Sequence, residues 1–205
     1  MGNLYHGSIV AGINELKACS ILHDSNTPCL YLTNSIPYAL VYIWDAKKNH
    51  YNHKYVSCGI KNGIPFYEEQ FPDQLKTFYK GVRGYLYCVS EDETCKVSGR
   101  ECMYASFKSK PVMKAIEIED VYEALLAYES KGEFQVLRYL KADEKRQNEL
   151  DEMMAYFFIK NHILDNMNEQ TMFYKRYFTK AYELAELNRE DKTFLEKVEH
   201  NVFGE

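Results

Sequence analysis

A chain of 205 residues, 46% hydrophobic and 27% charged, has an ordinary globular balance and enough length for one sizeable core. Its formal charge of -5, with no long Lys/Arg cluster, excludes the electrostatic footprint of a duplex nucleic-acid binder. No run reaches the roughly 18 apolar residues of a membrane span, and residues 1–8 lack the order of a secretory signal, so a cytoplasmic protein without a membrane partner is expected.

The cysteines, Cys19, Cys29, Cys58, Cys88, Cys95 and Cys102, are scattered, with no CxxC pair and no histidines at zinc-ligand spacing. Reduced, mostly buried or inert thiols and no metal are expected. His50 and His53 share a Tyr- and Asn-rich loop, but two histidines without a nearby carboxylate or thiolate make a poor metal set.

In chain order, residues 3–9 read as a short apolar strand ending in His6-Gly7-Ser8, and residues 13–22 as an irregular or briefly helical connection. A polar turn at 24–28 leads into a strand over 29–33. Apolar side chains at helical spacing over 35–44, behind Asn34 and Ser35 as cap candidates, predict the first helix. Residues 54–60 and 64–67 flank Lys61-Asn62-Gly63, a hairpin signal because Asn and Gly tolerate positive φ.

A helix is expected over 72–79, a strand over 84–89, and two further strands over 102–107 and 112–118. Asp120 is a cap for a helix over 121–130, which Gly132 stops, and 134–140 reads as a last strand. From residue 142 onward Glu, Lys, Leu, Met and Tyr dominate. Apolar positions recur at three and four, in the series Met153, Tyr156, Phe157, Lys160, Ile163 and Leu164. Two or more helices are predicted, broken around 166–168, the second running through Phe173, Tyr177, Ala181 and Leu184. The charged run 144–152 is expected to be a solvated helix face.

Two segments carry chemistry. Leu4-Tyr5-His6-Gly7-Ser8 resembles the His-Gly-Ser or His-Gly-Thr strand of ADP-ribosyltransferases of the poly(ADP-ribose) polymerase type, and Leu30-Tyr31-Leu32-Thr33 resembles their Tyr-Phe-Ala strand. That family places a second tyrosine on the next helix at the separation that divides Tyr31 from Tyr42. Its third element is a glutamate opening a late strand, for which Glu101, before Cys102-Met103-Tyr104-Ala105, is the best match and Glu117 the fallback. The family's asparagine position holds Arg100, and the position of a helix serine that contacts nicotinamide holds Ala39.

The resemblance covers residues 1 to about 118. It implies an α+β fold with an ADP-ribosyltransferase-like split β-sheet core, taken over 1–140. It leaves the C-terminal helices unexplained; these, over 141–205, are expected to be a helical extension packed on the core because Phe157, Phe158, Phe173, Tyr174, Tyr177 and Phe178 are too apolar to remain exposed. The resemblance further implies NAD as substrate, no metal, and transfer of ADP-ribose to an unidentified macromolecular acceptor, or hydrolysis of NAD. His6, Tyr31 and Glu101 are the implied catalytic residues, and His6, Gly7, Ser8, Tyr31, Thr33 and Tyr42 the implied NAD contacts.

The residue types suit that chemistry. Breaking the nicotinamide–ribose bond builds positive charge on the sugar, which a carboxylate stabilises. An imidazole can bond a ribose hydroxyl, a glycine lets backbone approach a flat amide, and two aromatic faces can sandwich the ring. The alternative is a catalytically inactive NAD- or ADP-ribose-binding or protein-interaction module of the same fold.

Overall fold

The chain opens with strand β1 (Asn3–Ser8), continues through the two-residue strands β2 (Glu15–Leu16) and β3 (Ser20–Ile21), and reaches β4 (Pro28–Thr33). The computed structural model describes residues 2–21, 27–49, 56–97 and 101–203. The loop with His50 and His53, most of the turn at 24–28, and Arg100 lie outside the described residues.

Helix α1 (Ile36–Val41) starts at Ser35, whose Oγ accepts from the Tyr38 amide, and Pro37 in the first turn forfeits an N–H that has no helical partner. After the single turn α2 (Ala46–Asn49), β5 (Ser57–Lys61) and β6 (Ile64–Glu68) form the expected hairpin. Asn62 and Gly63 take φ of 53° and 78°, the two positive values a tight two-residue turn needs.

Then come α3 (Gln74–Tyr79), β7 (Gly84–Ser90), β8 (Cys95–Val97), β9 (Met103–Ser106), β10 (Lys110–Pro111) and β11 (Lys114–Ile118). Helix α4 (Val121–Ser130) is capped by the Asp120 carboxylate on the Glu123 amide, and β12 (Gln135–Leu137) follows. Four helices end the chain: α5 (Glu144–Lys160), α6 (Glu169–Tyr177), α7 (Thr179–Leu187) and α8 (Lys192–Phe203).

The fold is mixed α+β. Its main sheet runs β11-β7-β1-β4-β9-β8, with β3 added to β4, and its pairings are antiparallel. Smaller sheets are β10-β2 and β12-β6-β5.

Two compact units divide the chain: Met1–Asp45, Cys58–Tyr67 and Leu75–Val136 in the first, Ala46–Ser57, Glu68–Gln74 and Leu137–Glu205 in the second. The C-terminal helices thus share their unit with two short segments from the first half of the chain.

In the first unit, Leu4, Leu16, Leu30, Leu32, Tyr87 and Val89 make a buried cluster, while α1 packs on β1 and β4 and against α4. Leu16 explains why residues 13–21 form two short strands joined by irregular chain, with no helical turn. Leu16 enters the cluster, Ile13 and Ala18 pack against it, and the backbone pairs with β10 and β4. A helical turn there would give up those pairings. The strand expected over 102–107 begins one residue late because Cys102 takes a left-handed φ of 59°.

In the second unit, the helix expected through Phe173 and Leu184 breaks at Phe178, whose φ of -111° and ψ of 45° leave the helical region. Phe178 is buried there against Phe71 and Phe158, at centroid distances of 4.7 and 5.8 Å. The apolar stripe of α5 differs in part from expectation: Tyr156 is buried as expected, Leu150, Met154, Ala155 and Phe158 are buried with it, and Met153 and Phe157 are half-buried.

The run 144–152 is more than a solvated face. Asp151 is buried, accepts from the Tyr139 hydroxyl and pairs with Lys180 at 3.3 Å. Burial raises the Asp151 carboxyl against the pull of these partners, and Tyr139 is pushed up to about 12 by burial and by Asp151.

Arg146 forks onto Glu68 with two bonds of 2.8 Å, and Glu68 also accepts from Ser57 Oγ at 3.1 Å. Removing the guanidinium strands a nearly buried carboxylate. Arg146→Ala is therefore expected to cost about 2–3 kcal/mol, below the full penalty of a broken buried pair because Arg146 is itself half-exposed. Urea denaturation checks this, and an unchanged midpoint would refute it.

Candidate functional site

His6 lies on β1, Tyr31 and Thr33 on β4, and Glu101 two residues before β9; these strands are consecutive neighbours in the main sheet. Beside six rungs between β1 and β7 and four between β4 and β9, β1 and β4 share a single rung, Tyr5↔Thr33. Past that rung the ladder between them ends. The His6 ring takes its place, with Nδ1 3.1 Å from the Tyr31 carbonyl oxygen.

A carbonyl only accepts, so Nδ1 carries the proton and Nε2 the lone pair. Burial lowers the His6 pKa from 6.5, partly opposed by the Tyr31 carbonyl, and so favours the neutral ring. The unfolded ring takes up a proton first as pH falls. The stability linked to this shift is therefore complete above 6.5 and declines below it.

Backbone direction alternates along a strand. The Asn34 amide bonds the Cys102 carbonyl on the β9 side at 3.3 Å, which turns Thr33 toward β1 and makes Tyr5↔Thr33 a mutually bonded pair. Gly7, two residues beyond Tyr5, then aims its N–H and C=O at the same edge, where the rungs have ended.

Gly7 is also where β1 meets α1. A Cβ there would penetrate the Ala39 carbonyl oxygen and touch Ile43. Ala39, the position matched to a family hydroxyl, is 1% exposed. Ser8 Oγ accepts from the Val10 amide at 3.1 Å.

Tyr31 is half-buried, with its hydroxyl on the Ile21 carbonyl at 3.2 Å. Tyr42, 39% exposed, closes α1; its ring stands edge-on to Tyr38, and the two hydroxyls are 3.2 Å apart. Tyr38 also reaches the Met103 sulfur at 3.6 Å. Thr33 is 5% exposed, donating to the Cys102 carbonyl at 2.7 Å and accepting from the Ser35 amide at 3.0 Å.

Glu101 is exposed, and its Oε2 accepts from the Gly63 amide of the β5–β6 turn at 3.3 Å. Glu117 is exposed on β11, opposite Tyr85, which is opposite Ser8. That row sits on the far side of β1 from Tyr31. Bonds thus join His6 to Tyr31, Thr33 to the residue after Glu101, and Tyr42 through Tyr38 to the first residue of β9.

Tyr38 is not singled out by the sequence, and Cys102, Met103 and Gly63 stand out there only as strand and turn residues. The four-residue step from Tyr38 to Tyr42 was the one available signal. Among the described residues no group of three His, Cys, Asp or Glu is placed to hold a metal ion, and no helix is long and apolar enough to cross a membrane. Comparisons with protein-family models, with curated proteins and with solved structures find no match.

Proposed function

We propose that the chain is an NAD-dependent ADP-ribosyltransferase, or an NAD glycohydrolase, that cleaves the nicotinamide–ribose bond at the edge between β1 and β4. The observation that carries this reading is the ladder ending after Tyr5↔Thr33 where His6 and Tyr31 meet. It leaves Gly7's donor and acceptor facing one edge, a pair that matches the acceptor and donor of a carboxamide.

In this reading His6 Nε2 accepts from a ribose hydroxyl, and Tyr31 and Tyr42 flank the nicotinamide ring. Glu101 faces the sugar as it becomes oxocarbenium-like. The C–N bond breaks with its electron pair passing to the ring nitrogen, giving neutral nicotinamide. Water or an acceptor nucleophile then bonds the ribose carbon and loses a proton.

His6→Ala is expected to weaken NAD-dependent thermal stabilisation. In the wild type, nicotinamide release should hold as pH falls past 6.5, the ordinary histidine value, and fall only at lower pH, through the lowered His6 pKa, where Nε2 is protonated and stops accepting. NAD stabilisation identical in His6→Ala and wild type would remove His6 from the site.

A second reading, binding of NAD or ADP-ribose without turnover, is favoured by Ala39 in place of a hydroxyl and by the Glu101 carboxylate engaged with Gly63. It predicts ligand-dependent stabilisation without nicotinamide release.

A further inference from the structure

We infer that the Thr33 hydroxyl is a positioning group that sets the acid-bearing turn against the aromatic helix and does not itself touch the nucleotide. The inference rests on the enzyme reading for its catalytic consequence, but its structural core stands on the bonds alone.

Thr33 is 5% exposed, and its Oγ is engaged in both senses, donating to the Cys102 carbonyl and accepting from the Ser35 amide. A hydroxyl with its single proton committed and its surface covered is poorly placed to bond a ligand.

The bond to Cys102 falls on a strained residue. Cys102 holds φ at 59°, a region that non-glycine residues adopt only when their surroundings impose it. Two bonds to its carbonyl do so here, from Thr33 Oγ and from the Asn34 amide. The residue immediately before this twist is Glu101, so the twist sets the direction in which the carboxylate leaves the chain.

The bond to Ser35 leads the other way. Ser35 caps α1 through the Tyr38 amide, Tyr38 is 3% exposed, and its hydroxyl meets that of Tyr42. Tyr38 also returns to β9 at Met103. One hydroxyl therefore joins the two parts of the site that must keep a fixed separation, the acid and the second aromatic face.

The test compares wild type, Thr33→Val, which keeps the shape and loses the hydroxyl, and Thr33→Ser, which keeps the hydroxyl. Amide hydrogen exchange at residues 34–36 and 101–103 is read with steady-state nicotinamide release. Thr33→Val is expected to speed exchange at both segments about tenfold or more and to lower kcat about 100-fold, with KM for NAD within about threefold. Thr33→Ser should restore both.

A raised KM with unchanged kcat in Thr33→Val would make Thr33 a ligand contact and overturn the inference, as would exchange unchanged at both segments. If the wild type releases no nicotinamide, the enzyme reading fails separately, and the exchange comparison still decides whether the hydroxyl holds the two segments. Should Thr33→Val not fold, Thr33→Ala carries the same expectations.

Discussion

Glu101→Gln is expected to lower nicotinamide release by about 100- to 1,000-fold while leaving NAD-dependent thermal stabilisation within a degree or so of wild type. The substitution removes charge and little else. A glutamine Oε1 can still accept from the Gly63 amide, now 3.3 Å from the carboxylate, so the turn before β9 keeps its anchor.

The ground state of NAD gains little from a carboxylate near the ribose, whereas the departing nicotinamide leaves a cationic sugar that gains much. A charge recognised mainly in the transition state appears in kcat and not in binding. Turnover unchanged in Glu101→Gln would take Glu101 out of the mechanism and direct attention to Glu117, exposed on β11 beyond Tyr85 and Ser8. The matching Glu117→Gln variant would then be the one to lose activity.

Gly7→Ala carries an expected effect on stability as large as that of Arg146→Ala. The added methyl would meet a backbone carbonyl, that of Ala39, as well as Ile43. Ala39 is 1% exposed and Ile43 fully buried, so neither can swing into solvent. Relief requires α1 to shift away from β1, in an interior packed as tightly as an organic crystal. Overpacking of this kind costs about 2–3 kcal/mol, a fall in melting temperature of roughly 5–10 °C for a chain of this size.

The same shift would carry Tyr42, at the end of α1, away from β4, so NAD binding should weaken as well. A melting temperature equal to wild type would show that α1 yields more easily than its packing indicates.

Gly7 also shows how much of the site was legible in sequence. The glycine stands out in His6-Gly7-Ser8 as a place for backbone to approach a ligand closely, yet the close approach in the structure is to α1. The proposed ligand contact and the helix contact use different sides of the residue. Its missing Cβ faces the helix, and its N–H and C=O face the edge beside β4. Sequence spacing cannot separate these, because both call for glycine.

Most long elements were legible for local reasons. Ser35 and Asp120 cap helices through their own side chains, Asn62-Gly63 makes a turn through its own φ values, and β7 is a short apolar run buried over most of its length. What was not legible depends on partners distant in the chain. The rungs of β2 and β3 exist because β10 and β4 receive them, and the left-handed Cys102 is held by Thr33, 69 positions earlier.

The break at Phe178 likewise answers to Phe71 and Phe158, whose rings bury it. Asp151, read as solvated because it sits among charges, is buried because Tyr139 and Lys180 satisfy it. The adjacency of the three motif strands could only be expected from resemblance, since nothing in residues 3–8, 28–33 or 103–106 alone specifies which strand lies beside which.

The most direct measurement is nicotinamide release from NAD by the purified full chain near neutral pH, with the NAD-dependent change in melting temperature recorded on the same sample. The proposal predicts release that consumes one NAD per nicotinamide, together with stabilisation worth about 2.7 kcal/mol at a ligand concentration 100 times Kd. Neither release nor stabilisation at millimolar NAD would contradict it and would leave His6-Gly7-Ser8 as a strand end shaped by its packing against α1.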